Sequence, residues 1–93
     1  MVIRSFRDKE TEKVFRREFS RKFHRMAAVA KRKLDHIQAA VAVSDLRVIP
    51  GNRLEALSGD RAGQHSIRVN DQWRICFRWV AADALEVEIV DYH

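Results

Sequence analysis

Asp91, Tyr92 and His93 stand together in "EVEIVDYH", an acid, a phenol and an imidazole directly after a strand-like stretch. Of the three groups, the imidazole ordinarily titrates closest to neutrality, at about 6.5. A second set comes from "SIRVNDQWRICF", where a loop over 70–72 sets Arg68 opposite Arg74. Two like charges directly opposed across strands repel. An anion between them would remove that cost, so the pair marks a candidate anion site. The other groups of catalytic type are scattered. His24, His36, His65 and His93 show no paired ligand spacing and Cys76 stands alone, so neither a metal site nor a cofactor is expected. One cysteine also excludes an internal disulfide and fits a reducing compartment.

Those residues need a sheet to hold them. Trp73, Ile75, Phe77 and Trp79 alternate strictly with Arg74, Cys76, Arg78 and Val80, and Ile67 and Val69 alternate with Ser66 and Arg68. In Leu85–Val90, Val87 and Ile89 face one way and Glu86 and Glu88 the other. The first loop pairs Val69 with Trp73, Arg68 with Arg74 and Ile67 with Ile75. A second loop over 82–84 pairs Trp79 with Val87, Phe77 with Ile89, Arg78 with Glu88 and Arg74 with Tyr92. Both registers keep the large apolar residues on one face, as a one-sided sheet requires. Arg68, Arg74 and Tyr92 then share the polar face, where truncating Arg74 would leave no cavity.

Helices must cover the apolar face. "MVIRSF" opens the chain as a short strand, and Asp8 can cap a helix to about Phe19 with Val14, Phe15 and Phe19 along one stripe. Ser20 is a second candidate cap. From there to about Val43, Met26, Ala30, Leu34, Ile37 and Val41 recur at helical spacing. Lys33 falls inside that apolar arc and is expected to snorkel past the core edge. "IPGN" turns the chain out of its helical half, and Leu54 and Leu57 seat a short segment before the loop bracketed by Gly59 and Gly63. The expected fold is α+β: β-α-α and then a three-stranded antiparallel meander, one domain over residues 1–93.

Charge is unevenly shared. Residues 1–43 hold twelve Lys/Arg against five Asp/Glu, a balance of +7, while residues 44–93 hold six Arg against eight Asp/Glu, a balance of −2. A pI near 10.0 meets the basic footprint of a nucleic-acid partner. The plainer reading is a solvated Lys-rich helical face. No uncharged stretch approaches the roughly 20 residues of a membrane span, and no apolar leader is visible at the N-terminus, so a cytoplasmic protein is expected.

"GNRLEALSGDRAGQHSIRVNDQWRICFRW" followed by "VEIVDYH" resembles the RelE/ParE superfamily of bacterial toxins, in its HigB or "killer protein" branch. The likeness is dense over residues 51–93, and the β-α-α opening fits it. It implies a microbial-ribonuclease-like fold and a toxin of a type II toxin-antitoxin system. The implied activity is metal-independent, ribosome-dependent mRNA cleavage leaving a 2′,3′-cyclic phosphate and a 5′-hydroxyl. The implied partners are the ribosome, mRNA and a HigA-like helix-turn-helix antitoxin that carries the hetero-oligomeric complex to operator DNA.

By the same resemblance, Arg74 matches a catalytic arginine that stabilises the phosphorane. Glu55, in "LEAL", matches a general base; its plainer reading is a loop or helix-edge carboxylate. His93 matches the C-terminal histidine and is the candidate acid. Tyr92 would stack on a base or orient the phosphate, and Asp91 would orient His93 or Arg74. Relatives often carry a lysine just before the loop glycine, where this chain has Ser58. Arg61 or Arg68 would then supply the missing cation, Arg61 being equally suited to bracing the loop. The basic half points to Lys13, Arg16, Arg17, Lys22, Lys31 and Arg32 as contacts to ribosomal RNA. Two other readings compete: a ParE-like gyrase inhibitor, which lacks such a C-terminal cluster, and a non-catalytic RNA-binding module built on the basic helices.

Overall fold

A computed structural model of the chain describes residues 2–91. Two helices, α1 (Lys9–Phe15) and α2 (Ala27–Ala39), precede four strands: β1 (Glu55–Ala56), β2 (Gln64–Arg68), β3 (Trp73–Val80) and β4 (Asp83–Asp91). The strands form one antiparallel sheet in the order β1-β2-β3-β4. The class is therefore α+β. Among the described residues, no helix is long and apolar enough to cross a membrane.

Both helices are shorter than their apolar stripes suggest. Asp8 caps α1, accepting from the Thr11 amide at 3.0 Å and the Thr11 hydroxyl at 2.7 Å. The expected run to Phe19 stops at Phe15 because Arg17 turns left-handed, with φ of 62°. Glu18 N–H donates to Lys13 O at 2.8 Å and Arg17 N–H to Val14 O at 3.2 Å. This is a Schellman closure with arginine at the position glycine usually takes. Ser20 does accept from the Phe23 amide, at 3.1 Å, but caps a set of turns rather than α2 itself. In α2, Ala30, Leu34 and Ile37 are buried as their spacing predicts, whereas Val41 lies past the helix end and is exposed. These buried residues share one core with Val14, Phe23, Ile67, Ile75, Phe77, Val87 and Ile89.

The opening residues do not form a full strand. They run parallel to β4 and bridge it at Ile3–Ala84 and Phe6–Val87. Glu86 separates the bridges: its φ is 53°, and its amide donates to the Ser5 hydroxyl at 2.9 Å rather than to backbone.

The β2–β3 register is the expected one, with Ile67 opposite Ile75 and Arg68 opposite Arg74. Asn70 fixes that hairpin by accepting from the Gln72 and Trp73 amides. The β3–β4 register differs. Trp79 pairs with Ala84, Ile75 with Ile89, Cys76 with Glu88, and Arg74 with Val90 rather than Tyr92. Two causes combine. The turn is the two-residue Ala81–Ala82, made possible by a φ of 57° at Ala81. A bulge then sets Glu86 and Val87 opposite the single residue Phe77. Beyond the bulge the net slip from expectation is even, so Val87 and Ile89 still face the core.

Candidate active site

The second face of the sheet is covered as well. Ser66 and Cys76 are fully buried, and Arg74 is only 8% exposed. At the edge of the sheet β1, a strand that no sequence pattern marks, pairs Glu55 with Ser66 and Ala56 with His65. Arg74 therefore does not lie on a bare polar face, and its truncation would leave a hole. Burial of a guanidinium requires acceptors, because unpaired buried charge is costly. Arg74 Nε donates to Ser66 Oγ at 2.8 Å, and Nη2 donates to the Arg53 carbonyl at 2.7 Å and to the Ser66 carbonyl at 3.3 Å. The Arg53 carbonyl is aimed there by a left-handed backbone, φ 46°.

Glu55 completes the cluster. Its Oε1 lies 4.0 Å from Arg74 Nη2, and its side chain is 52% exposed. A solvent-facing carboxylate thus sits beside a buried guanidinium held in one orientation. The pair can take up a proton at one end and stabilise negative charge at the other.

The remaining candidates distribute around this pair. Arg68 is Arg74's cross-strand neighbour, but its Nη2 pairs with Asp71 Oδ1. Each arginine has its own protein acceptor, so the opposed charges need no anion between them. Arg61 braces the sheet cover through Gln64 Oε1 at 3.0 Å and Glu88 Oε1 at 2.8 Å. It lies beside Cys76, whose thiol is pushed above its ordinary value by burial. Asp91 is placed opposite Trp73, so it shares Trp73's side of the sheet rather than Arg74's, and its Oδ2 accepts from Gln72 at 3.1 Å. Tyr92 and His93 lie outside the described residues. Among the described residues, no three His, Cys, Asp or Glu side chains gather as a metal site would require.

The basic helical residues fall into two groups. Lys13 pairs with Glu10 at 3.1 Å, Arg16 with Glu12 at 2.9 Å and Lys31 with Asp35 at 2.6 Å. Arg17, Lys22 and Arg32 have no acidic partner at ion-pair distance among the described residues. Arg17, Lys31 and Arg32 line a groove of about 640 Å³ between α1 and α2, together with the exposed Phe19.

A family of RelE-like toxins of the type II toxin-antitoxin system HigB matches residues 4–93. The chain belongs to this HigB-like toxin family. It is 56% identical over 54 residues to "Toxin HigB-1" of Vibrio cholerae, a match covering 58% of this chain and 57% of that one. It is 44% identical over 41 residues to "Endoribonuclease HigB" of Proteus vulgaris, covering 44% of this chain and 45% of the other. An uncharacterized protein of Haemophilus influenzae is 43% identical over 51 residues, covering 55% and 50%. The chain thus spans about half the length of the curated relatives it matches. For this HigB-like chain, the residues missed from sequence are the holders of Arg74: the Ser66 hydroxyl and the Arg53 carbonyl. Ser66 carried a signal, since it shares Arg74's face in the predicted β2–β3 register. The Arg53 carbonyl carried none.

Proposed function

We propose that this chain is the toxin of a type II toxin-antitoxin system, a metal-independent endoribonuclease that cleaves mRNA on the ribosome and stops translation and growth. The observation that carries this reading is the Glu55–Arg74 pair, a carboxylate 4.0 Å from a guanidinium oriented by Ser66 and Arg53. Family membership supports the toxin part, and the likeness to an endoribonuclease supports the chemistry. The N-terminal segment bridged to β4 favours the β-α-α-β-β-β, microbial-ribonuclease-like topology.

In this mechanism Glu55 removes the proton from a ribose 2′-hydroxyl, and that oxygen attacks the adjacent phosphorus in line. Arg74 offsets the negative charge that grows on the phosphorane. His93 delivers a proton to the departing 5′-oxygen as the P–O bond breaks, leaving a 2′,3′-cyclic phosphate and a 5′-hydroxyl. Tyr92 stacks on a base, Asp91 orients His93, and Arg68 adds positive potential from the neighbouring strand. Arg61 acts at the margin, because its guanidinium is already engaged with Glu88. The basic helical face docks on ribosomal RNA. A HigA-like helix-turn-helix antitoxin neutralises the toxin in the cytoplasm and carries the complex to operator DNA.

The test is cleavage of mRNA on purified translating ribosomes by the wild type and by His93→Gln. The substitution should lower the rate about 10²–10⁴-fold, the usual contribution of a positioned acid. A wild-type rate would move the acid elsewhere. Gyrase inhibition without cleavage would favour the ParE-like reading, and RNA binding without either would favour a binding module.

A further inference from the structure

Among the described residues, Lys33 is the one lysine the fold buries, at 8% exposure, in the middle of the apolar stripe of α2. It does not snorkel. Its Nζ donates to Asn52 Oδ1 at 2.7 Å. Burial, and then the nearby Arg32 and Arg68 charges, push the ammonium below its ordinary range. An apolar side chain would fill the same arc without that desolvation cost. Something must be gained from the amine, and its partner indicates what.

Asn52 is fully buried and anchored at every polar group. Its Nδ2 donates to Leu46 O at 3.2 Å, its amide donates to Ile49 O at 3.2 Å, and its carbonyl accepts from the Arg68 amide at 2.6 Å. Three residues along α2 from Lys33, His36 also lies near the Asn52 side chain, and its buried Nδ1 has no hydrogen-bond partner among the described residues. The next residue is Arg53, left-handed at φ 46°, whose carbonyl accepts from Arg74 Nη2. A non-glycine residue keeps such a backbone only where its surroundings over-determine it. Asn52 is that anchor on one side, and β1 is the anchor on the other.

We propose that Lys33 is a positioning residue for Arg74. Through Asn52 it holds the Arg53 backbone in its strained conformation, and so holds the carbonyl that orients the Arg74 guanidinium beside Glu55. Loss of the amine lets Arg53 relax toward negative φ and swings that carbonyl off Arg74. The consequence for cleavage rests on the nuclease function proposed above; the consequence for Arg74's geometry does not.

The experiment compares wild type, Lys33→Met and Lys33→Gln, each first shown to be folded by circular dichroism. Hydrogen exchange of the Arg74 Nε–H is read by NMR, its signal assigned by its loss in Arg74→Lys. Exchange should quicken at least about tenfold in Lys33→Met. Cleavage of ribosome-bound mRNA should fall about 10–100-fold, in line with a small misplacement of a reacting group. Affinity for ribosomes should stay within about twofold, since Lys33 is too buried to reach a partner's phosphates. Lys33→Gln, whose donor ends one bond short, should give an intermediate acceleration. Its exchange decides the matter if the Met variant does not fold. Wild-type Arg74 exchange in a folded variant of either kind overturns the proposal. Faster exchange with undiminished cleavage upholds the positioning role and removes Arg74 from the chemistry.

Discussion

Replacing Ser66 with alanine removes one oxygen from the interior, and its effect can be worked out from the contacts around Arg74. The hydroxyl is fully buried and accepts from Arg74 Nε at 2.8 Å. Alanine fills nearly the same volume, so the change is chemical rather than steric. It leaves a donor of a charged, largely buried group without its acceptor, while the bonds to the Arg53 and Ser66 carbonyls remain. A hydrogen bond to a charged group contributes about 1.5–3 kcal/mol. Arg74's side chain is only 10% exposed, so water offers little compensation. Taking about 2 kcal/mol, and about 4–8 °C per kcal/mol for a domain of this size, Tm should fall by about 8–16 °C. The guanidinium also gains freedom to rotate, so single-turnover cleavage should drop about tenfold or more even well below the new Tm. The assays are calorimetric unfolding and cleavage of ribosome-bound mRNA at a temperature where the variant is folded. An unchanged Tm would show that the Ser66–Arg74 bond contributes nothing. A lowered Tm with an unchanged rate would show that Arg74's orientation is irrelevant to the chemistry.

The helical cations should separate by whether they are already paired. Reversing Arg17 and Arg32 should flatten the salt dependence of ribosome binding by about 0.7–0.9 log units for each phosphate that is no longer neutralised. Reversing Lys13 and Arg16, which pair with Glu10 and Glu12, should change it less, and equal slopes would refute the division. His36 sets a pH window for stability. Burial, with Lys33 and Arg32 nearby, pushes its imidazole below the ordinary value of 6.5. The unfolded chain therefore binds the proton more readily than the folded one. The stabilising contribution is present above about pH 6.5 and is lost as pH falls below it toward the folded-state value. His36→Gln should flatten the decline of Tm between about pH 7 and pH 5; an undiminished slope would assign the decline to other groups.

What the sequence made legible follows from which structures have periodic signals. The α2 stripe and the β2–β3 register rest on side-chain periodicity against one core; the register stands as expected, and the stripe stands from Met26 to Ile37 but not at Val41. The misses lie where backbone conformation departs from residue preference. Arg17, Ala81 and Glu86 all adopt positive φ without being glycine, and they respectively end α1, tighten the last hairpin and bulge β4. No local pattern announces such positions, because tertiary contacts hold them there. Of the site, Arg74 and Glu55 were legible as residues, and the structure brings them together. The burial of Arg74 was not legible, since one of the acceptors that make it possible is the Arg53 carbonyl, which no alternation marks. Lys33 misled for a related reason. Position alone put it in the core arc, and only the distant Asn52 explains how its amine is satisfied there.

Every role proposed for this site depends on Arg74 stabilising the transition state of RNA cleavage. The direct measurement is the single-turnover rate of Arg74→Ala on ribosome-bound mRNA, taken at a temperature where circular dichroism shows the variant folded. Truncation should also lower Tm, because the Ser66 hydroxyl and the Arg53 carbonyl lose their donor. The rate should lie about 10²–10³-fold below wild type, the usual cost of removing one donor to developing charge, with ribosome affinity nearly unchanged. Wild-type cleavage by folded Arg74→Ala would contradict that role.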